Sequence, residues 1–175
     1  MHLFSNPLVW LRRVRKRCGY GVHSPFAFHF ITDVIYEKSR YYAYSSLDAC
    51  LPFRYRFRVR KCLRLLFRIA NSVQPHTVYI QGSMPFVRQY VEAGCHKAVV
   101  TDKVGDADID MCVLSSPCDV VVPHIRHSGV LVLGNLRKHR RWFLSLPSVV
   151  SFDLWDIGIA FFDPHYNKQH YIVNF

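Results

Sequence analysis

Ten histidines and six cysteines are the residues of this 175-residue chain best suited to acid–base or metal chemistry. His124 and His127 place two imidazoles on one side of a turn, where they have the means to move a proton. No Asp or Glu falls at helical spacing from them and Arg126 lies between, so the pair reads as solvated surface histidines. The cysteines (Cys18, Cys50, Cys62, Cys95, Cys112, Cys118) include no CxxC pair, and the closest two are six apart. That spacing indicates neither a zinc site nor a disulfide framework, and predicts reduced, mostly buried thiols. No GxSxG, Walker or HExxH pattern is present, and Gly19-Tyr20-Gly21 does not follow a strand as a dinucleotide motif requires, so hydrolase and nucleotidase chemistry gains no support. His23-Ser24-Pro25 reads as a structural cap that fixes a tight entry to a helix.

Charge is the second chemical feature. The formal net charge is +11, and its excess is confined to the N-terminal part: residues 1 to 68 carry 14 Lys/Arg against 3 Asp/Glu, residues 69 to 175 carry 9 against 9. Phe53, Tyr55 and Phe57 interleave with arginines there, a pattern suited to phosphate contacts and base stacking on RNA; a solvated basic face is the alternative.

These residues must be positioned by elements that the hydrophobic pattern predicts. Leu8 to Arg17 is expected to form a short basic helix, ended by Gly19-Tyr20-Gly21, whose functional reading is a phosphate-seeking arm. Phe53 to Arg60 alternates strictly, which alone implies a strand, but Val59, Cys62, Leu63, Leu66, Phe67 and Ala70 recur at helical intervals and predict a helix from about residue 58 to Asn71. After Pro75 come four short apolar runs, Thr77 to Ile80, Ala98 to Thr101, Met111 to Leu114 and Val130 to Leu133, which read as strands buried on both faces. Helices are expected at Phe86 to Gly94 and Arg137 to Leu146, which makes the sheet parallel with right-handed crossovers. Val149 to Trp155 and Ile157 to Phe162 suit an antiparallel pair at the sheet edge, and His170 to Phe175 a last strand.

The length accommodates one well-buried core, and no stretch reaches the roughly 18 uninterrupted apolar residues of a membrane span. Pro7, Trp10 and five basic residues stand where a signal peptide needs an apolar run, so the expected location is cytoplasmic.

Three stretches resemble a family of bacterial class I S-adenosylmethionine-dependent methyltransferase-like proteins related to the O-methyltransferases. They are Tyr20-Gly21-Val22-His23-Ser24-Pro25-Phe26-Ala27-Phe28 continuing to Tyr41-Tyr42-Ala43-Tyr44; Leu65 to Arg68 through Pro75 into Thr77-Val78-Tyr79-Ile80-Gln81-Gly82; and Asp153 to Phe162 with Lys168-Gln169-His170-Tyr171. The resemblance implies an α/β fold: a truncated Rossmann-like methyltransferase sheet, mostly parallel with an antiparallel C-terminal edge, preceded by a basic helical N-terminal arm. Residues 1–52 would form the arm and a lid-like segment, and residues 53–175 the methyltransferase-like domain.

The resemblance also implies where S-adenosylmethionine would lie, with Gly82 and Ser83 in the turn after the first strand and Asp102 at the end of the second facing the ribose hydroxyls. Much else of the family's site is replaced. Ile80 stands at a commonly acidic position, Pro85 and Phe86 occupy the glycine turn, and Ser115 and Gly134-Asn135 stand where carboxylates would serve metal or substrate. Magnesium needs carboxylate oxygens, so no metal is expected. Only Lys103 to Ile109 separates the second strand from the next, so the family's third strand and the wall beside the adenine should be missing. The expected function is a divergent methyltransferase-like protein with weak or no catalysis. Alternatives are an active methyltransferase with a rearranged pocket around Gly82, Ser83 and Asp102, an RNA-binding module, or a protein partner, including a homodimer, that pairs at the open sheet edge.

Overall fold

A computed structural model describes residues 21–55, 57–105 and 108–175; the expected helix from Leu8 to Arg17 lies outside them. The first described helix is set by its cap. Ser24 Oγ accepts from the Ala27 N–H at 3.3 Å, and Pro25 takes the first position of α1 (Pro25–His29), where its missing N–H goes unneeded. The chain continues as a π-helical stretch, Phe30–Ile35. Its last carbonyls are met from outside: Arg68 Nε donates to Val34 O at 2.6 Å and Nη2 to Ile35 O at 3.0 Å. A helix end leaves carbonyls without partners, and this is why a guanidinium is buried here at 8% exposure.

After α2 (Ala43–Ala49) the alternating segment forms a 3₁₀ turn, Phe53–Tyr55, rather than a strand. Phe53 and Phe57 remain exposed, so no apolar face exists to hold a strand against the sheet. The helical periodicity prevails from Arg58: α3 (Arg58–Val73) buries Leu63, Leu66, Phe67 and Ala70 and ends at Gln74 in left-handed conformation ahead of Pro75.

The remaining elements are β1 (Thr77–Ile80), α4 (Pro85–Gly94), β2 (Val99–Thr101), β3 (Ile109–Leu114), β4 (Ile125–Leu133), α5 (Leu136–Ser145), β5 (Val150–Asp153), β6 (Gly158–Phe161) and β7 (Gln169–Ile172). They build one sheet in the order β2-β1-β3-β4-β6-β5-β7. All neighbours are parallel except those of β6, which runs against β4 and β5; one row reads Leu131, Ala160, Ser151, His170. The fold is therefore α/β, with a mostly parallel sheet and its antiparallel pairing toward the C-terminal edge.

Alternate residues of β3 and β4 enter different cores, as a period of two requires. Met111, Val113, Val130 and Val132 face α3 and α4, while Cys112, Leu114, Leu131 and Leu133 face α5. The expectation of burial on both faces fails at β2, an edge strand flanked only by β1, where Val99 is exposed. The segment from residue 21 to 52 shares the first core: Phe30 packs on Phe152 and Phe161, with ring centroids 5.0 and 4.9 Å away. Close approaches require glycine at Gly94, where a Cβ would meet Phe67 O at 2.4 Å, and at Gly158, where it would meet the Phe143 ring at 2.6 Å. Among the described residues no helix is long and apolar enough to cross a membrane.

Candidate functional site

The chain leaves β1 toward one side of the sheet to make β2, then returns across β1 to make β3 on the other side. That reversal opens a crevice at the carboxyl ends of β1 and β3, where parallel α/β sheets bind ligands. Here the crevice is occupied by a side chain. Gln81 Oε1 accepts from the Ser115 and Ser116 backbone N–H groups at 2.9 and 3.0 Å, with the two hydroxyls at 3.0 and 3.3 Å. Two converging N–H donors fix the amide with its oxygen inward, and Gln81 N–H itself donates to Val113 O at 2.9 Å.

Gly82, Ser83 and Asp102 are brought together beside this clamp. They line one cavity of about 260 Å³ with Ile80, Met84 and Arg88. Gly82 has φ +69, a conformation that suits its lack of a side chain, and nothing lies within 4 Å of the position a Cβ would take. Arg88 is tied to Glu92, Nε to Oε1 2.7 Å, one turn along α4. The outer side of the cavity is the edge strand β2, and the next strand in sequence, β3, lies on the far side of β1.

Phe86, which stands in the family's glycine turn, is not among the residues that line this cavity. Pro85 begins α4 and turns the following ring toward Tyr55, centroids 6.1 Å apart in edge geometry. The positions at the ends of β3 and β4 do meet: Asn135 Nδ2 donates to Ser115 O at 3.4 Å, and Asn135 takes the left-handed conformation, φ 53. His124 and His127 stand elsewhere, at the close of a 3₁₀ turn and the exposed start of β4.

A second cavity, of about 280 Å³, lies between α3, α4 and the same ends of β3 and β4, with Met84 in the wall of both. Its inner wall is apolar and includes Leu63, Val113 and Val132, each at most 4% exposed. Its mouth holds three charges: Asp156 is paired with Arg58 and with Arg137, the latter Nε to Oδ1 at 3.0 Å. Asp156 stands there because its carbonyl accepts from the first N–H of α5, Leu136, at 3.0 Å, while Leu154 N–H closes the β5–β6 turn onto Ile157 O at 2.9 Å. Trp155 takes a left-handed φ of 78 in that turn, with Arg137 and Arg140 over its ring and its backbone N–H donating to Asp153 Oδ1 at 2.8 Å. Sequence reasoning passed over Asp156 and Arg58; the signal available was an acidic residue at the junction of two apolar runs.

A basic groove runs along the other side of α3, lined by Lys38, Arg60, Lys61, Arg64 and Arg68 with Glu37. Arg68 is committed to the carbonyls above and Arg64 to Asp48, whose other oxygen accepts from Tyr90 at 2.6 Å. Burial and the Asp48 carboxylate beside it push the Tyr90 hydroxyl far above the ordinary tyrosine range. No family model, curated protein or solved structure matches the chain.

Proposed function

We propose that this chain is a divergent S-adenosylmethionine-dependent methyltransferase-like protein with weak or no catalytic activity. Three features support the reading. The order β2-β1-β3-β4 is that of a doubly wound sheet, 3-2-1-4-5, with its third strand left out. The residues that would meet the cofactor's ribose and backbone turn, Asp102, Gly82 and Ser83, line one cavity. The observation that carries the loss of function is the Gln81 clamp, which places a side chain in the crevice that the cofactor would cross. Beside it, Ser115 and Asn135 offer a hydroxyl and an amide where transfer chemistry would use carboxylates.

Calorimetric titration with S-adenosylmethionine and S-adenosylhomocysteine tests this, on the wild type, Asp102→Ala and Gln81→Ala. No heat from the folded wild-type protein is the expected result. Micromolar binding that Asp102→Ala abolishes would overturn it in favour of an active enzyme with a rearranged pocket.

The aromatic-flanked basic groove favours a second reading, contact with a polyanion such as RNA. Affinity for a single-stranded RNA that falls steeply with salt would support it, and salt-independent binding would not.

A further inference from the structure

The second cavity has the construction of a small-molecule site: an apolar interior, a few polar groups at one end, and a place at the carboxyl ends of parallel strands. Its volume of about 280 Å³ is nearly twice that of a cavity of about 150 Å³ that takes benzene, so a chain of about eight carbons or a small ring system fits. Cys62 in its wall is a thiol whose ionisation burial opposes, in keeping with the apolar interior.

The mouth decides which end group the ligand carries. Two guanidiniums, Arg58 and Arg137, face a single carboxylate, Asp156, leaving one positive charge uncompensated among the three. Each oxygen of Asp156 is already taken by one arginine, and each guanidinium carries more N–H donors than the one given to Asp156, enough to serve a second acceptor. Arg58 is only partly exposed, and burial together with the Arg137 charge disfavours its charged form, a cost that an arriving anion would relieve. Asn135, in the cavity lining, has a left-handed backbone, a conformation that collects at ligand sites.

We propose that this cavity binds an amphipathic monocarboxylate, its apolar body between α3 and the sheet and its carboxylate bridging Arg58 and Arg137. The inference stands on the cavity alone and does not depend on the methyltransferase-like reading.

The test titrates the full chain calorimetrically with octanoate, 1-octanol and octyltrimethylammonium, with S-adenosylhomocysteine run alongside, and follows the methyl signals of Met84, Val113 and Val132 by NMR. Octanoate should bind about tenfold more tightly than octanol, the worth of a charge-assisted contact, and shift those methyls; the cation should not bind. Arg137→Gln and Arg58→Gln should each erase the preference for octanoate, since either leaves Asp156 with one arginine and the fold intact. Cys62→Phe should fill the cavity and remove binding of both octyl ligands. Equal affinity for octanoate and octanol, a preference for the cation, unshifted methyls or no binding would each overturn the proposal. Octanoate binding without S-adenosylhomocysteine binding upholds it, and the reverse result upholds only a cofactor site.

Discussion

Replacing Gln81 with alanine should expose how much the clamp at the switch point contributes to stability. The substitution removes the acceptor of two backbone N–H groups, those of Ser115 and Ser116 at 2.9 and 3.0 Å, on partly buried residues. A hydrogen bond contributes about 1 kcal/mol net, and each donor left without a partner in a poorly hydrated place costs more, so the loss should be about 2 kcal/mol. For a domain of this size that lowers Tm by about 4–8 °C. Gln81→Glu keeps an oxygen in the same place and should retain most of the stability at neutral pH. Urea unfolding followed by circular dichroism measures both, with an unchanged slope as the check that only stability has moved. An alanine variant within about 0.3 kcal/mol of wild type would refute the reasoning, because the two N–H groups would then be served equally well by water.

Gly158→Ala should destabilise by about 1–3 kcal/mol, since its methyl would press on the buried Phe143 ring and force a shift; thermal unfolding measures the cost. Arg68→Met should cost about 3 kcal/mol in urea unfolding, because the Val34 and Ile35 carbonyls lose charged donors in a buried place. In alkali, Tyr44, Tyr79 and Tyr90 have hydroxyls held above the ordinary range, chiefly by burial. The folded state keeps those protons longer than the unfolded chain, so their contribution is whole below about pH 10 and is lost as pH rises further. Absorbance at 295 nm should therefore show part of the tyrosines ionising only as the protein unfolds; complete ionisation with a normal midpoint in the native protein would contradict this.

The sheet was legible because Met111 to Leu114 of β3 and Val130 to Leu133 of β4 are apolar without interruption, a pattern that burial on two faces produces. The helical period of Val59 to Ala70 likewise prevailed over the alternation before it, because the exposed Phe53 and Phe57 give a strand no apolar face to bury. Legibility ended at β2, which has the composition of a central strand but the position of an outer one. Local sequence carries no record of how many strands lie beyond. Gly82, Ser83 and Asp102 were singled out by the resemblance and line one cavity, whereas the path of the Phe86 ring depended on contact with Tyr55, thirty-one positions earlier. The cavity mouth was hidden for a related reason. Arg58, Arg137 and Asp156 come from three elements, and nothing in their local spacing relates them.

The early helices close against the late strands: Phe26 stacks on Tyr166, Phe30 meets Phe161, and the Tyr36 hydroxyl reaches the Asn174 carbonyl 138 positions away. During synthesis the apolar side of residues 26–36 therefore emerges long before its partners exist. Contacts of such sequence separation form late and slowly, and the waiting surface is open to chaperones or to another nascent chain. Yield in the cell should accordingly respond to translation speed over residues 150–174 and to chaperone supply more than to the stability of the finished protein.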